Sequence, residues 1–333
     1  MIAEMVDDRN ILPWQRHNWS LLSAYITQQR IPQALLITAG KGQGKRHLAE
    51  QFAQALLCAN KRDDGYYCGQ CHSCTLFHAR THPDFLTIIP EQTGKAIVID
   101  QIRQLITKLG LKPQFENYRV VIIDPAEQMN TSAANAFLKY LEEPTERTVI
   151  LLLAEQPARL PATITSRCQK MPIKPDLQAA QAWLREKIPD QDVEVLLNMT
   201  RGAPLLARQY ARDNIPELRN ACFQNWLGVA EQRIDPVALA KEWQQLPDRL
   251  VLFWLTTWVI DLIKCHHQPQ MASGLYNPDL SRDLQELAEK LDLKRLFSFY
   301  DLLLIDNKRI DTPLNKQLLF EELLIDWQQL NPR

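Results

Sequence analysis

One segment near the start of the chain restricts its fold more than any other, because an apolar run, a glycine-rich loop and an amphipathic segment follow one another there. Ala34–Thr38 has the length and composition of a buried β-strand, and Lys45–Ala59 has the apolar periodicity of a helix. Gly40, Gly42 and Gly44 lie between them, although the chain has only 10 glycines in 333 residues. In such a unit, successive backbone N–H groups and the helix N-terminus bind phosphate. The segment therefore predicts an α/β fold with a phosphate-binding loop.

Further apolar runs alternate with helical segments through the first half of the chain. The strand-like runs are Phe85–Ile89, Val120–Ile123 and Thr148–Leu153, and helical segments lie at Val98–Leu109 and Thr131–Glu142. Strands that are apolar on both faces and separated by helices indicate a parallel sheet covered by helices on both sides. We therefore predict a doubly wound α/β domain over residues 1–170.

The second half of the chain has helical periodicity and no further strand signal. Prolines separate its helical segments, as expected at positions where helices begin and end. Leu280–Asp306 is periodic throughout and predicts one long helix. With Pro175 and Pro216 as the joints, we expect two helical domains after the α/β domain.

Composition excludes several classes of protein. The chain carries 38 Lys+Arg against 39 Asp+Glu, with 46% hydrophobic residues. It is therefore neither a disordered chain nor a protein that binds nucleic acid through its overall charge. Its acidic N-terminus lacks the features of a signal peptide, and its longest apolar stretch, Leu250–Ile263, is shorter than the roughly 20 residues that a bilayer needs. We expect a cytoplasmic protein with no membrane segment.

The glycine loop departs from the phosphate-binding pattern at two positions. Ala39 replaces the first glycine, and Arg46 replaces the Ser or Thr hydroxyl that binds Mg²⁺. Lys45 is present and would reach the β- and γ-phosphates of a nucleotide. Because a guanidinium cannot ligate a cation, the metal used in phosphoryl transfer loses a ligand here.

The strand at Val120–Ile123 also ends without a complete catalytic apparatus. Asp124 stands where a P-loop ATPase holds Mg²⁺, but Pro125 replaces the glutamate that polarises the attacking water. Glu127 is either a substitute for that glutamate or a solvated loop charge. We therefore expect no ATP hydrolysis at this site. A degenerate nucleotide site and a loop retained only for its shape both stay open. The residues of that site would be Gly40, Gly42, Gly44, Lys45 and Asp124.

Four of the seven cysteines form a cluster with the spacing Cys58-x₉-Cys68-x₂-Cys71-x₂-Cys74. Four thiolates at such spacings surround one tetrahedral Zn²⁺. With every coordination position filled by sulfur, the zinc would be structural, which argues against a zinc-dependent enzyme. His72 is the competing ligand within the cluster. A reduced cytoplasmic protein fits this cysteine usage better than a disulfide scaffold does.

Three further segments make the chain resemble the AAA+ clamp-loader subunits of bacterial DNA polymerase III. These segments are Thr81–Asp84, Ser132–Pro144 and Leu160–Cys168. The resemblance implies an AAA+ P-loop domain at 1–170 with a zinc insert at about 58–82, an all-helical lid at 171–212 and a helical collar domain at 213–333. It also implies a hetero-pentamer with gamma/tau and delta subunits that loads a sliding clamp onto primed DNA.

Within this family, the sequence resembles the subunits that do not hydrolyse ATP. Active members carry a threonine after the apolar run that corresponds to Thr148–Leu153 and an arginine in the lid helix, and this chain has Glu155 and Leu205 at these places. Together with Arg46 and Pro125, these residues disfavour the alternative, an ATP-hydrolysing gamma/tau-type subunit. A free-standing DNA-binding protein is a further alternative and would need a basic face.

One functional arginine of the family is retained. Ser166-Arg167-Cys168 matches the family's S-R-C motif, whose arginine reaches into the ATP site of the neighbouring subunit. From the sequence alone, Arg167 would be a surface ion-pair residue and Cys168 a small buried side chain. The resemblance implies instead that Arg167 acts catalytically in trans.

Overall fold

The computed structural model describes most of the 333-residue chain. The described residues are 11–92, 94–115, 117–267, 274–310, 312 and 315–331. They divide into two compact units. The N-terminal unit contains the described residues up to Trp183 together with Ala203–Leu206, and the C-terminal unit contains Leu184–Gly202 and the described residues from Ala207 onward.

The N-terminal unit is built on a parallel sheet, as predicted. Its five described strands are β1 Ala34–Thr38, β2 Phe85–Ile88, β3 Arg119–Ile123, β4 Thr148–Ala154 and β5 Gln169–Pro172, in the order β2-β3-β4-β1-β5. The first four strands agree with the apolar runs of the sequence. Strand β5 was not predicted from the sequence, because three of its four residues are exposed and only Met171 is buried.

Helices cover this sheet. The helices before and between the strands are α1 Arg16–Thr27, α2 Lys45–Leu57, α3 His72–His78, α4 Ile99–Leu109, α5 Thr131–Glu142 and α6 Ala162–Thr165. One core lies between the sheet and helices α4 and α5, where Val121, Ile150 and Leu152 are packed with Leu105 and Phe137. Helix α5 begins where Asn130 accepts a hydrogen bond from the N–H of Ala133, at 2.8 Å.

The strand order brings three functional segments to one edge of the sheet. β1 pairs with β4 in parallel, with Thr38 opposite Ala154, and β4 pairs with β3. The glycine loop therefore starts beside the turn that contains Glu155, and Asp124 follows β3 at the same carboxyl edge. In open α/β sheets, ligands bind at this edge.

The chain beyond β5 is helical in the described residues. Its helices are α7 Leu177–Lys187, α8 Val193–Met199, α9 Pro204–Arg212, α10 Ile215–Ala230, α11 Pro236–Trp243, α12 Asp248–His267, α13 Ser281–Ala288, α14 Leu293–Arg309 and α15 Lys316–Leu330. Pro204 and Pro236 are the first residues of their helices, where a proline loses no helical hydrogen bond. Within the described residues, no helix combines the length and apolar character that crossing a bilayer requires.

The prediction of one helix over Leu280–Asp306 was wrong. The structure has a 3₁₀ turn at Pro278–Leu280, then α13, a break, and α14. The break comes before Asp292, whose carboxylate accepts the N–H of Arg295 at 2.9 Å and starts α14. Apolar periodicity does not reveal this break, because Leu291 within it is also buried in the core.

Tryptophans form the centre of the C-terminal unit. The rings of Trp226 and Trp327 are stacked with their centroids 3.8 Å apart, and Trp258 lies 5.3 Å from Trp226. The indole N–H of Trp327 donates to the carbonyl of Trp226 at 2.9 Å. All three side chains are fully buried, so they serve packing between α10, α12 and α15.

Candidate functional site

The glycine loop follows β1 and leads into α2. Gly42 and Gly44 have φ angles of +79° and +84°, which favour glycine. A Cβ at Gly42 would lie 2.6 Å from the Cβ of Leu206, and a Cβ at Gly44 would lie 2.7 Å from Nε2 of Gln15. At Gly40 a Cβ would meet the Cγ of Gln43 at an ordinary 3.9 Å. Conformation and close packing therefore require two of the three glycines whether or not phosphate binds.

Carbonyl groups of the loop accept hydrogen bonds from two other segments of the same unit. The indole N–H of Trp14 and the side-chain amide of Gln15 donate to the carbonyl of Gln43, at 3.0 and 2.9 Å. Gln15 also donates to the carbonyl of Gly44 at 2.9 Å. The N–H of Leu205 donates to the carbonyl of Gly42 at 3.1 Å. The roles of Trp14 and Gln15 were not predicted from the sequence, because they depend on the folding of a distant segment onto the loop.

Lys45, the lysine that follows Gly44, is bound by a carboxylate of the same chain. Its Nζ lies 2.8 Å from Oε1 of Glu155, and its side chain is only 10% exposed. The turn that carries Glu155 is fixed by Glu127, whose Oε1 accepts the N–H groups of Glu155 and Gln156 at 2.8 and 3.1 Å. Glu127 is thus a structural residue of this turn. The two interpretations that the sequence offered, a catalytic substitute and a solvated charge, did not include this role.

Arg46 and Asp124 form a second ion pair beside the first. Nη1 of Arg46 lies 3.2 Å from Oδ2 of Asp124, and its Nε lies 2.9 Å from Oε1 of Glu50. Burial raises the pKa of Asp124 above its ordinary value, although Arg46 and Lys45 act against this shift. For Arg46, burial acts to lower the pKa, but Glu50 and Asp124 outweigh it and raise the pKa. The carboxylate expected to hold Mg²⁺ therefore faces a guanidinium.

The four clustered cysteines come together directly after α2. Their sulfur atoms all lie within 4.8 Å of one another, with the Sγ of Cys58 3.6 Å from that of Cys68 and 3.8 Å from that of Cys71. Four sulfurs at ~2.3 Å from one tetrahedral ion lie about 3.8 Å apart. The cluster, completed by Cys74, therefore has the composition and dimensions to hold one metal ion.

Backbone N–H groups point at the sulfur atoms of this cluster. Cys68 Sγ accepts from the N–H groups of Gln70 and Cys71, at 3.4 and 3.3 Å, and these bonds lower the pKa of Cys68. Burial alone would raise the pKa of Cys71, but N–H donors, beginning with that of Cys74, and neighbouring thiols lower it to about 6. Thiolate is the form that binds a metal, so these bonds favour metal binding.

The Thr81–Asp84 segment connects the cysteine cluster with the sheet. Nδ1 of His82 accepts the N–H of Asp84 at 3.1 Å, so Nε2 carries the proton and donates to the hydroxyl of Ser73 at 2.9 Å. The Ser73 hydroxyl in turn donates to the carbonyl of Leu57 at 2.7 Å. Burial lowers the pKa of His82 and favours this neutral form.

Asp84 carries the connection onward to β3. Its carboxylate accepts the N–H groups of Gln114 and Phe115, at 3.0 and 2.9 Å, and lies 3.3 Å from the guanidinium of Arg119. Both charged side chains of this pair are buried, and Arg119 also donates to backbone carbonyls. His82 and Asp84 therefore have structural roles that the sequence did not reveal.

Arg167 lies at the surface after α6. Its Nη2 lies 2.7 Å from Oε1 of Glu142, its Nη1 donates to the carbonyl of Thr163 at 3.0 Å, and its side chain is 39% exposed. The next residue, Cys168, is buried and its thiol donates to the carbonyl of Ile164 at 3.2 Å. Arg167 thus makes the surface ion pair expected from the sequence alone. Its role in trans stays a prediction from the family resemblance.

The strand order β2-β3-β4-β1-β5, with a glycine loop after β1 and an acidic residue after β3, defines a P-loop protein of the AAA+ class. Comparison with known proteins narrows this class. The family model described as "DNA polymerase III, delta subunit" matches residues 14–177, and the model for the "delta subunit, C terminal" matches residues 215–329. The chain belongs to the DNA polymerase III delta-prime subunit family.

Two relatives match this chain over nearly its whole length. DNA polymerase III subunit delta-prime of Pseudomonas aeruginosa is 35% identical over 96% of this chain and 98% of its own length. The Escherichia coli delta-prime subunit is 32% identical over 94% of both chains. A solved structure of a gamma-subunit-related protein from Thermotoga maritima covers 93% of this chain and 99% of its own, with 18% identity and a TM-score of 0.49.

Proposed function

We propose that this chain is the delta-prime subunit of a cytoplasmic DNA polymerase III clamp loader and does not itself hydrolyse ATP. The absence of ATP hydrolysis is inferred from the pairing of Arg46 with Asp124. A guanidinium stands where hydrolysis needs a metal-binding hydroxyl, and it engages the carboxylate that would share the metal. Measured ATP hydrolysis by the isolated chain, abolished by Lys45→Ala, would favour a gamma/tau-type subunit instead.

The partners in this proposal are gamma/tau and delta subunits in a hetero-pentamer that opens the sliding clamp and places it on primed DNA. The proposal keeps the division into an α/β domain at 1–170, a lid at 171–212 and a collar at 213–333. Near-neutral overall charge supports a protein that works chiefly through protein partners.

Arg167 is the catalytic residue of this proposal, acting at the ATP site of the neighbouring subunit. An arginine supplied in trans stabilises the charge that develops on the transferred phosphoryl group, with effects of about 10³–10⁵ in rate in related NTPases. Its exposed pair with Glu142 is the kind that contributes about 0–1 kcal/mol, so leaving Glu142 for a neighbour's phosphate costs little.

Reconstituted pentamers test this role. Complexes of gamma, delta and the Arg167→Ala chain should assemble normally and lose at least tenfold of the DNA-stimulated ATP turnover at the neighbouring site. Arg159→Ala is the matched control, because Arg159 is another exposed arginine of the same unit. Equal turnover in wild-type and Arg167→Ala pentamers would contradict the role in trans.

The metal in this proposal is one structural Zn²⁺ held by Cys58, Cys68, Cys71 and Cys74. The sulfur spacing and the N–H donors support it, and four thiolates leave no coordination position for a substrate. Metal analysis of the purified chain should find one zinc per molecule, and Cys71→Ser should lower this content. Cys168→Ser, outside the cluster, should retain the zinc. A full complement of zinc in Cys71→Ser would contradict the assignment.

A further inference from the structure

We infer that Glu155 is a built-in anion that closes a latent polyphosphate site formed by the glycine loop and Lys45. The ligand class of the opened site would be a nucleoside diphosphate or pyrophosphate. The inference concerns this chain's own loop and is independent of any role of Arg167 at a neighbouring site.

The first support is the environment of Lys45. Its side chain is 10% exposed and its ammonium lies 2.8 Å from the Glu155 carboxylate. A buried ammonium needs an anionic partner, because burial removes the water that would otherwise stabilise its charge. Glu155 supplies the negative charge that a phosphate would supply to the lysine of a functional loop.

The second support is the fixed position of Glu155. The N–H of Ala39, at the start of the loop, donates to the carbonyl of Ala154, so the turn after β4 and the loop are directly joined. Glu127 holds the N–H groups of Glu155 and Gln156 from the other side. The backbone beneath the Glu155 carboxylate is thereby anchored beside Lys45, and the ion pair does not depend on two long side chains meeting by chance.

The third support is the second ion pair, which indicates what kind of ligand the loop would take. Arg46 is a permanent cation at the position where a functional loop carries its Mg²⁺-binding hydroxyl, and it engages Asp124 and Glu50. A ligand that enters beside Lys45 would meet a guanidinium in place of a bound metal. We therefore expect binding of the metal-free diphosphate group.

An anion of the same chain weakens the binding of an external anion. The apparent Kd of a ligand equals its intrinsic Kd divided by the fraction of molecules whose site is open. If the Lys45–Glu155 pair is open in about 1–10% of molecules, then removal of the Glu155 charge should strengthen diphosphate binding about 10- to 100-fold.

Calorimetric titration of the isolated full-length chain with ADP in EDTA tests this inference. Glu155→Gln, which keeps the size of the side chain and removes its charge, should bind ADP at least tenfold more tightly than the wild type. The double variant Lys45→Ala with Glu155→Gln should return to the weak binding of the wild type. Glu286→Gln is the matched control, since it neutralises a glutamate in an exposed ion pair with Arg282 in the other unit and should change nothing.

Either of two results would overturn the inference. One is equal ADP affinity in the wild type and a folded Glu155→Gln chain, and the other is a gain that persists after Lys45→Ala. If Glu155→Gln unfolds at the assay temperature, Glu155→Asp replaces it, because its shorter carboxylate stays anionic but withdraws from Lys45. Glu155→Asp should then gain ADP affinity, and unchanged affinity would equally overturn the inference. The titration needs no other subunit, so its failure is distinct from a failure of the clamp-loader proposal.

Discussion

Two ion pairs of the N-terminal unit have nearly the same length and very different surroundings. Lys45 and Glu155 are 2.8 Å apart, and Arg167 and Glu142 are 2.7 Å apart. The ammonium of the first pair is buried, whereas both side chains of the second are more than one third exposed. Distance alone therefore does not tell which pair fixes the structure and which is free to exchange partners.

The two pairs differ in whether water can solvate their charges when the pair opens. If the Arg167 pair opens, water solvates both charges, so the free energy of the pair is small. If the Lys45 pair opens, the ammonium stays largely out of water and unpaired. We therefore expect the Lys45–Glu155 pair to be closed in most molecules of the free protein, and the Arg167–Glu142 pair to be easily exchanged for a phosphate of a neighbouring subunit.

The largest expected effect is the loss of stability when Glu155 is neutralised, compared with the same change at Glu142. Glu155→Gln should lower the free energy of unfolding of the N-terminal unit by about 1–3 kcal/mol, less than for a fully buried pair because Glu155 itself is partly exposed. Glu142→Gln should change it by less than about 0.5 kcal/mol. Urea unfolding measures both values. Equal losses in the two variants would show that burial of Lys45 does not distinguish the pairs.

Asp306 in the C-terminal unit is a third case, a buried carboxyl that has an ion-pair partner but no hydrogen-bond partner among the described residues. Its side chain is 1% exposed and lies 3.5 Å from Arg309. Burial raises the pKa of Asp306, Glu322 raises it further, and Arg309 acts against both. Because the folded pKa lies above the unfolded value of about 3.9, Asp306 favours the folded state below that pH, and this benefit is lost as the pH rises.

Asp306→Asn should therefore be more stable than the wild type at pH 8, by about 1 kcal/mol, because a buried carboxylate without hydrogen bonds costs more than the amide that replaces it. The advantage should shrink as the pH falls toward 4, where the wild-type carboxyl takes up its proton. Urea unfolding of both chains at several pH values measures this. An advantage that does not change with pH would mean that shape, and not charge, determines the effect.

The sequence was most informative where local chemistry decides the structure. The bounds of α5, Thr131–Glu142, were predicted correctly, because an apolar stripe and the capping Asn130 act within the helix itself. The cysteine cluster was predicted as a set for a similar reason, since its spacing brings the sulfur atoms together. In contrast, α3 was not predicted. It is a short helix within the cysteine segment, and it includes His72 and the metal-ligand candidate Cys74.

The ion pairs could not be predicted because they join residues that are far apart in the chain. Glu155 lies 110 residues from Lys45, and the two meet only because β1 and β4 are neighbours in the sheet. The sequence suggested only that Glu155 replaces a threonine of active relatives, which indicates the loss of ATP hydrolysis. The structure adds that the substituted side chain binds the loop lysine.

Salt should separate the two pairs further. At 1 M salt the Debye length is about 3 Å, so charges in contact with solvent are screened while a buried charge is not. The stability difference between the wild type and Glu155→Gln should keep more than half of its value between 0.05 and 1 M NaCl. Any difference for Glu142→Gln should fall to near zero. Complete loss of the Glu155→Gln effect in high salt would place Lys45 in contact with solvent.

The smallest expected effect concerns turnover in the assembled complex. If Glu142 competes with a neighbour's phosphate for Arg167, then Glu142→Gln should raise DNA-stimulated ATP turnover by about twofold, in keeping with an exposed pair of a few tenths of a kcal/mol. Glu143→Gln is the matched control, because Glu143 is the next residue along the chain and is also exposed. A tenfold fall in Glu142→Gln pentamers, with turnover intact in Glu143→Gln, would reverse the interpretation. Glu142 would then hold Arg167 in the orientation that the neighbouring site requires, and the exposed pair would matter for turnover although it contributes little to stability.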